Sequence, residues 1–156
     1  MRRTYRALLL SLSLLPGLLN AMPIAGWQET ITLYLPSQPI QLVAKLDTGA
    51  DTSSLHAEDI QILNADTDNA QVRFRLQGVH YQRPLIRISH IKRHQLPPQA
   101  RPVIVLEWCL NQQRQQSEFT LTDRRQFRTP VLLGRNSLRQ RFLVDSATTQ
   151  QLQPCQ

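Results

Sequence analysis

The run Leu42-Val43-Ala44-Lys45-Leu46 stops abruptly at Asp47-Thr48-Gly49-Ala50-Asp51, and no other stretch constrains this chain as much. Its apolar, β-branched character reads as a buried strand, and the Thr-Gly that follows reads as a tight turn, so a strand delivers a carboxylate to a bend. An unpaired carboxylate in such a place costs several kcal/mol or takes up a proton instead. Asp47 therefore needs hydrogen-bond donors. The Thr48 hydroxyl is a nearby candidate, and Gly49 lets a neighbouring backbone or a substrate come close. As a bare tripeptide Asp-Thr-Gly is a weak signal, and its context decides what it means.

That context is a succession of short strands. Thr30–Leu35 alternates with period two, Pro36–Pro39 is a turn, and Ile40–Leu46 completes an opening hairpin. Ser54-Leu55-His56 leads away from the Asp47 turn. Ile60–Leu63 and Gln71–Leu76 flank the polar cluster Asn64–Asn69 and form a second hairpin, with Val72, Phe74 and Leu76 on its buried face. Arg83–Ile88 is a further strand. Ser89–Gln99 reads as a loop rich in histidine and basic residues and closed by Pro97-Pro98. Arg101–Leu110 is expected to pair with Glu118–Thr122 across the polar turn Asn111–Arg114. Pro130–Gly134 is a buried strand, Asn136–Gln140 one or two helical turns, and Phe142–Asp145 a last strand. The expected fold is all-β, a small closed barrel with one short helix near its C-terminal end.

Composition sets the limits. A chain of 156 residues holds one ordinary domain. Met1–Arg6 is a basic segment and Ala7–Leu19 an apolar one, the layout of a secretory signal over residues 1–21. The apolar run is too short for a comfortable bilayer span, so no stable span is expected after cleavage, with an uncleaved anchor as the alternative. The remainder divides into a domain over 22–150 and a loose tail over 151–156, and its expected location is periplasmic or secreted. Removing Arg2, Arg3 and Arg6 lowers the net charge from +7 to +4. That mild, diffuse excess favours an anionic substrate without pointing to nucleic acid. Cys109 and Cys155 permit one intrachain disulfide in an oxidising compartment, although a cysteine inside an apolar strand is more often a buried thiol.

Thr129-Pro130-Val131-Leu132-Leu133-Gly134-Arg135-Asn136 is the second informative stretch. It resembles the closing motif of retroviral aspartic proteases, and Asp47–Asp51 resembles their catalytic loop, in the same order along the chain. The chain is still more similar to a bacterial retropepsin-like family sometimes labelled ATP-dependent zinc proteases. The matching segments are Gly26–Glu29, Ala44–His56, Val72–Leu76, Arg101–Ile104, Phe119–Arg124, Leu132–Leu138 and Phe142–Asp145. One departure is Asp51, where those bacterial proteins tend to carry a basic residue.

This resemblance implies a closed barrel with one Asp-Thr-Gly per subunit, made competent by homodimerisation. Its expected activity is aspartic endopeptidase, with Asp47, Thr48 and Gly49 catalytic. Ala50, Asp51, Gly134 and Arg135 support them, and Asp51 pairs with Arg135. A flap is expected on the arm between Arg83 and Arg101, where Lys92 and Arg93 favour an acidic peptide or protein substrate; the Asp66 hairpin is the alternative flap. Because Ala50 offers no hydroxyl to the ionised Asp47, the pH optimum is expected nearer neutral than in pepsin-like enzymes. A catalytically silent barrel that binds a peptide or partner is the competing reading. No cofactor or metal is expected. The chain lacks His-Glu-x-x-His and a Gly-rich phosphate loop, and His90 and His94 lack a third ligand nearby. Ser53, Ser54 and His56 are adjacent in sequence, which does not make a catalytic triad.

Overall fold

The computed structural model describes residues 21–93 and 95–156, without the side chains of Arg93 and Leu96. Apart from Ala21, the expected signal segment lies outside the described residues, and so does His94. In chain order the elements are β1 (Ile24–Gly26), β2 (Gln28–Tyr34), β3 (Pro39–Asp47), β4 (Ser53–His56), β5 (Glu58–Leu63), β6 (Gln71–Leu76) and β7 (Val79–Pro84). There follow β8 (Arg87–Arg93), β9 (Leu96–Leu110), β10 (Gln113–Thr122), β11 (Val131–Gly134), the single-turn α1 (Arg135–Leu138) and β12 (Leu143–Asp145).

Six of these strands close into a ring. β10 pairs with β4, β4 with β11, β11 with β3, β3 with β2, β2 with β9, and β9 returns to β10. Closure removes the exposed edges that an open sheet would present. The ring is filled by Ile31 and Leu33 of β2, Leu42, Ala44 and Leu46 of β3, Trp108 of β9, Phe119 of β10 and Leu133 of β11, all buried. The apolar run of β3 predicts a strand buried on both faces, but only one face is buried. Val43 and Lys45 point outward and are exposed, so the strand alternates like its neighbours.

Three expectations about loops change. Arg83–Ile88 is not one strand but the junction between β7 and β8, and β7 turns back onto β6 through Gln77-Gly78, both at positive φ. The stretch Ser89–Gln99, expected as a loop, is a hairpin in which β8 pairs with β9. Pro97 and Pro98 fall where the register slips between Ile91 and Arg93, so two residues of β9 oppose Lys92 alone. A bulge suits prolines, because the ladder is already interrupted there and the missing N–H costs little. The β9–β10 turn is only Asn111-Gln112, both at positive φ, so Gln113 and Arg114 are strand rather than turn and β10 begins five residues before Glu118.

The C-terminal tail is the largest correction, because 151–156 is tied down rather than loose. Cys155 forms a disulfide with Cys109 in β9. The carboxylate of Glu29, fully buried, accepts hydrogen bonds from the N–H groups of Gly26 (2.6 Å), Gln151 (2.9 Å) and Leu152 (3.2 Å). A charge can be buried there because three backbone donors replace its water. Trp27 N–H donates to Thr148 O and Gln150 N–H to Gln28 O, which lace the tail to the start of β2. No helix of the described residues is long and apolar enough to cross a membrane.

Candidate active site

β11 enters between β3 and β4, and this arrangement builds the site. It runs parallel to β3, with Gly134 opposite Asp47, and antiparallel to β4, with Leu132 opposite Ser54. The loop from Asp47 to Thr52 must therefore pass over the end of β11. It passes very close: a Cβ on Gly134 would stand 2.7 Å from the Thr52 carbonyl carbon and 2.9 Å from that of Asp51. Only glycine allows this approach. Beyond it, Arg135 N–H donates to Ala50 O (2.7 Å) and Asn136 N–H to Asp51 O (3.1 Å). The free N–H groups at the start of α1 thus find their acceptors in the carbonyls of the loop they support. Below, Ser53 Oγ accepts from Gly134 N–H (3.0 Å) and shares a hydrogen bond with Ser137 Oγ (2.8 Å), both serines being buried.

Asp47 ends β3 with its side chain about a quarter exposed. Oδ1 accepts from Gly49 N–H (3.1 Å) and Oδ2 from Lys45 Nζ (3.0 Å). The Thr48 hydroxyl expected there is not among its donors. Lys45 precedes Asp47 by two residues on one strand, so both project from the same face. The bond from Lys45 holds the Asp47 carboxyl below the usual carboxylate range, with the Gly49 N–H adding to the effect and partial burial opposing it. Lys45 therefore supplies what the missing hydroxyl at Ala50 does not.

Asp51 and Arg135 form the expected ion pair, and the second arm of Arg135 donates to Thr48 O (3.4 Å). The pair is open to solvent, since both side chains are more than half exposed and only one guanidinium nitrogen meets the carboxylate. The structure thus gathers Asp47, Thr48, Gly49, Ala50, Asp51, Gly134 and Arg135 at one end of the ring. Lys92 stands elsewhere, exposed on the β8–β9 hairpin, with Arg93 at the end of β8.

Sequence reasoning assigned no role to Lys45 or to Arg124. The guanidinium of Arg124 is buried, donates from Nη1 to Ser54 Oγ (2.7 Å) and from Nε to Thr129 O (3.2 Å), and lies 4.6 Å from the Phe127 ring centroid. Its backbone N–H donates to His56 Nδ1 (2.9 Å), which engages His56 in the structure of the loop after β10. Burial lowers the Arg124 pKa, nearby Arg101 lowers it further, and the charge of Asp47 works against both. Lys45 was legible from period two alone, but nothing local in the sequence announces Arg124. Among the described residues no three His, Cys, Asp or Glu stand close enough to hold a metal ion.

A closed ring of strands whose Asp-Thr-Gly loop crosses the glycine of a later parallel strand defines the retropepsin-like class of all-β proteins. Comparison with known proteins agrees. The chain belongs to the RimB-like family, described as the retropepsin-like aspartic endopeptidase RimB, whose profile matches residues 24–154. A protein of unknown function from Legionella pneumophila, Lpg0085, has a similar crystal structure. It is 30% identical with a TM-score of 0.67, over 83% of this chain and 97% of that one. A probable alpha-L-glutamate ligase from Desulfotalea psychrophila is 33% identical over 112 residues, 67% of this chain. The chain spans only about a quarter (24%) of that protein.

Proposed function

We propose that the protein is an aspartic endopeptidase in which the Asp47 carboxylates of two copies act together on a water molecule. The observation that carries this reading is the Asp47 loop itself, an exposed turn with its carboxylate oriented by Gly49 N–H and its backbone supported on Gly134 and α1. One chain contains one Asp-Thr-Gly, so the second carboxylate must come from a second chain across a twofold axis. Two carboxylates brought together at such an axis share one proton and titrate as a unit. The ionised one takes a proton from water as the water attacks the peptide carbonyl, and the protonated one donates to the developing oxyanion. The tetrahedral intermediate then collapses as the leaving amine is protonated, with no covalent adduct to the enzyme. The β8–β9 hairpin serves as the lid over the substrate.

The substrate is an acidic, glutamate-containing peptide. Lys45, Arg124 and Lys92 supply the positive charge, and the relative that shares this domain is described as a glutamate ligase. Export to an oxidising compartment accords with the signal-like first residues and with the Cys109–Cys155 disulfide.

The test uses acidic model peptides with wild-type protein, Asp47→Asn and mixtures of the two. Asp47→Asn should abolish cleavage while folding and self-association persist. After complete subunit exchange, activity should fall as the square of the wild-type fraction. A linear decline, or cleavage by a protein that stays monomeric, excludes the shared-carboxylate mechanism; binding without cleavage returns the choice to a peptide-binding barrel.

A further inference from the structure

A cavity of about 370 Å³ opens directly beside Asp47, between the Trp27–Gln28 segment and the loop that follows β10. Its walls are of two kinds. Trp27, Phe127 and Leu132 are apolar, whereas Lys45, Arg124 and Arg128 are cationic, and Asp47 is the one acid that lines it. Arg124 is the unusual member. A buried guanidinium ordinarily meets a carboxylate, because its desolvation is otherwise uncompensated. The two side-chain hydrogen bonds of Arg124 go instead to neutral acceptors, a serine hydroxyl and a backbone carbonyl. No carboxylate among the described residues forms an ion pair with it. Those two bonds and the Phe127 ring hold the group in one orientation. Of its five N–H donors, the ones not spent on Ser54 and Thr129 remain for a ligand in the cavity that it lines.

We propose that this cavity is the subsite for an acidic side chain of the substrate, and that Arg124 is the specificity-determining residue that reads its carboxylate. The apolar walls take the methylene groups, the fixed guanidinium takes both carboxylate oxygens, and Arg128 at the exposed side adds attraction. The anion missing from Arg124 is thus brought by the substrate. The adjacency of Asp47 places the recognised residue next to the bond to be cut. This assignment rests on the peptidase reading for what happens after binding, but not for the binding itself.

Binding to the full chain carrying Asp47→Asn separates the two. The probes are acetylated, amidated tetra-α-L-glutamate and its four versions with a single Gln. In calorimetry one Gln position should weaken binding about tenfold and the other three by less than threefold. In the Asp47→Asn, Arg124→Gln protein the sensitive position should lose its advantage and fall in line with the rest. A purely structural Arg124 would weaken all five peptides alike and leave the position effect intact, which would overturn the proposal. A probe independent of Arg124 replacement is nuclear magnetic resonance of the Asp47→Asn protein. Tetra-glutamate should shift the Arg124 Nε–H and Trp27 indole signals, and saturating peptide without these shifts excludes the subsite. If the position effect holds while wild-type protein cleaves nothing, the subsite stands and the peptidase reading fails.

Discussion

Replacing Gly134 by alanine puts a methyl group into the loop that carries Asp47. Its carbon would lie 2.7 Å from the carbonyl carbon of Thr52, 2.8 Å from that carbonyl's oxygen and 2.9 Å from the carbonyl carbon of Asp51, all backbone atoms. Ordinary contact begins at 3.4 Å, so the loop or β11 must move by about 0.7 Å. No flexible side chain can absorb the shift. Overpacking of this kind costs about 1–3 kcal/mol. The displacement also stretches the bonds from Gly134 N–H to Ser53, Arg135 N–H to Ala50 and Asn136 N–H to Asp51, each worth about 1 kcal/mol net. With partial relaxation the loss should be about 2–4 kcal/mol, lowering the melting temperature by roughly 10 °C. Since a misplacement near 1 Å at reacting groups costs about 100-fold in rate, peptide cleavage should fall at least tenfold at temperatures where the variant is folded. Gly78→Ala is the control. Gly78 sits at φ +80° in open space, so alanine there should cost about 1 kcal/mol through backbone strain alone and leave cleavage unchanged. Thermal unfolding by circular dichroism and kcat/KM on a glutamate peptide report the two effects. A Gly134→Ala protein that melts within 1 °C of wild type with full activity would refute the packing of the Asp47 loop on β11.

Four further outcomes follow from the same geometry. Lys45→Met removes the main cause of the depressed Asp47 pKa, so the carboxyl takes up its proton at higher pH and the acid limb of the pH–rate profile should move toward neutral; an unmoved limb removes Lys45 from the site's electrostatics. Cys155→Ser opens a link spanning 46 residues, for which chain entropy sets a loss of at most about 4 kcal/mol, read as a lower urea midpoint that the reduced wild type should share. Glu29→Gln turns one of the two oxygens that accept the three N–H groups into a donor and should cost about 2 kcal/mol while speeding hydrogen exchange at Gln151 and Leu152; unchanged exchange would contradict the tail latch. Arg135→Ala removes an exposed pair and should destabilise the single chain by less than about 1 kcal/mol, so a larger loss in urea would mean that the pair is buried in an assembly.

The alternation along β2 and β6, the tight bend at Asp47-Thr48-Gly49 and the stretch Leu132–Asn136 were legible from residue order alone. Each depends on neighbours a few positions apart, where period two and turn chemistry operate. The same locality misled at Ser89–Gln99. There the paired prolines read as loop, and only the register of β8 on β9 shows that they occupy a bulge. It misled again at the tail, whose polar composition outweighed the one possible Cys109–Cys155 pairing and carries no mark of the buried Glu29 that holds it. Parallel pairing of β3 with β11 joins residues nearly ninety positions apart, and no local pattern encodes it. That pairing decides what the site is. It lays the Asp47 loop on Gly134, and the loop after β10 sets Arg124 beside a carboxylate far from it in sequence. The sequence by itself determined which side chains face inward and which residues can do acid–base chemistry. Lys45, two residues before Asp47 on one strand, was within that reach, but the buried Arg124 that faces Asp47 across the cavity belongs to the tertiary structure, because Coulomb interactions follow distance in space and not separation along the chain.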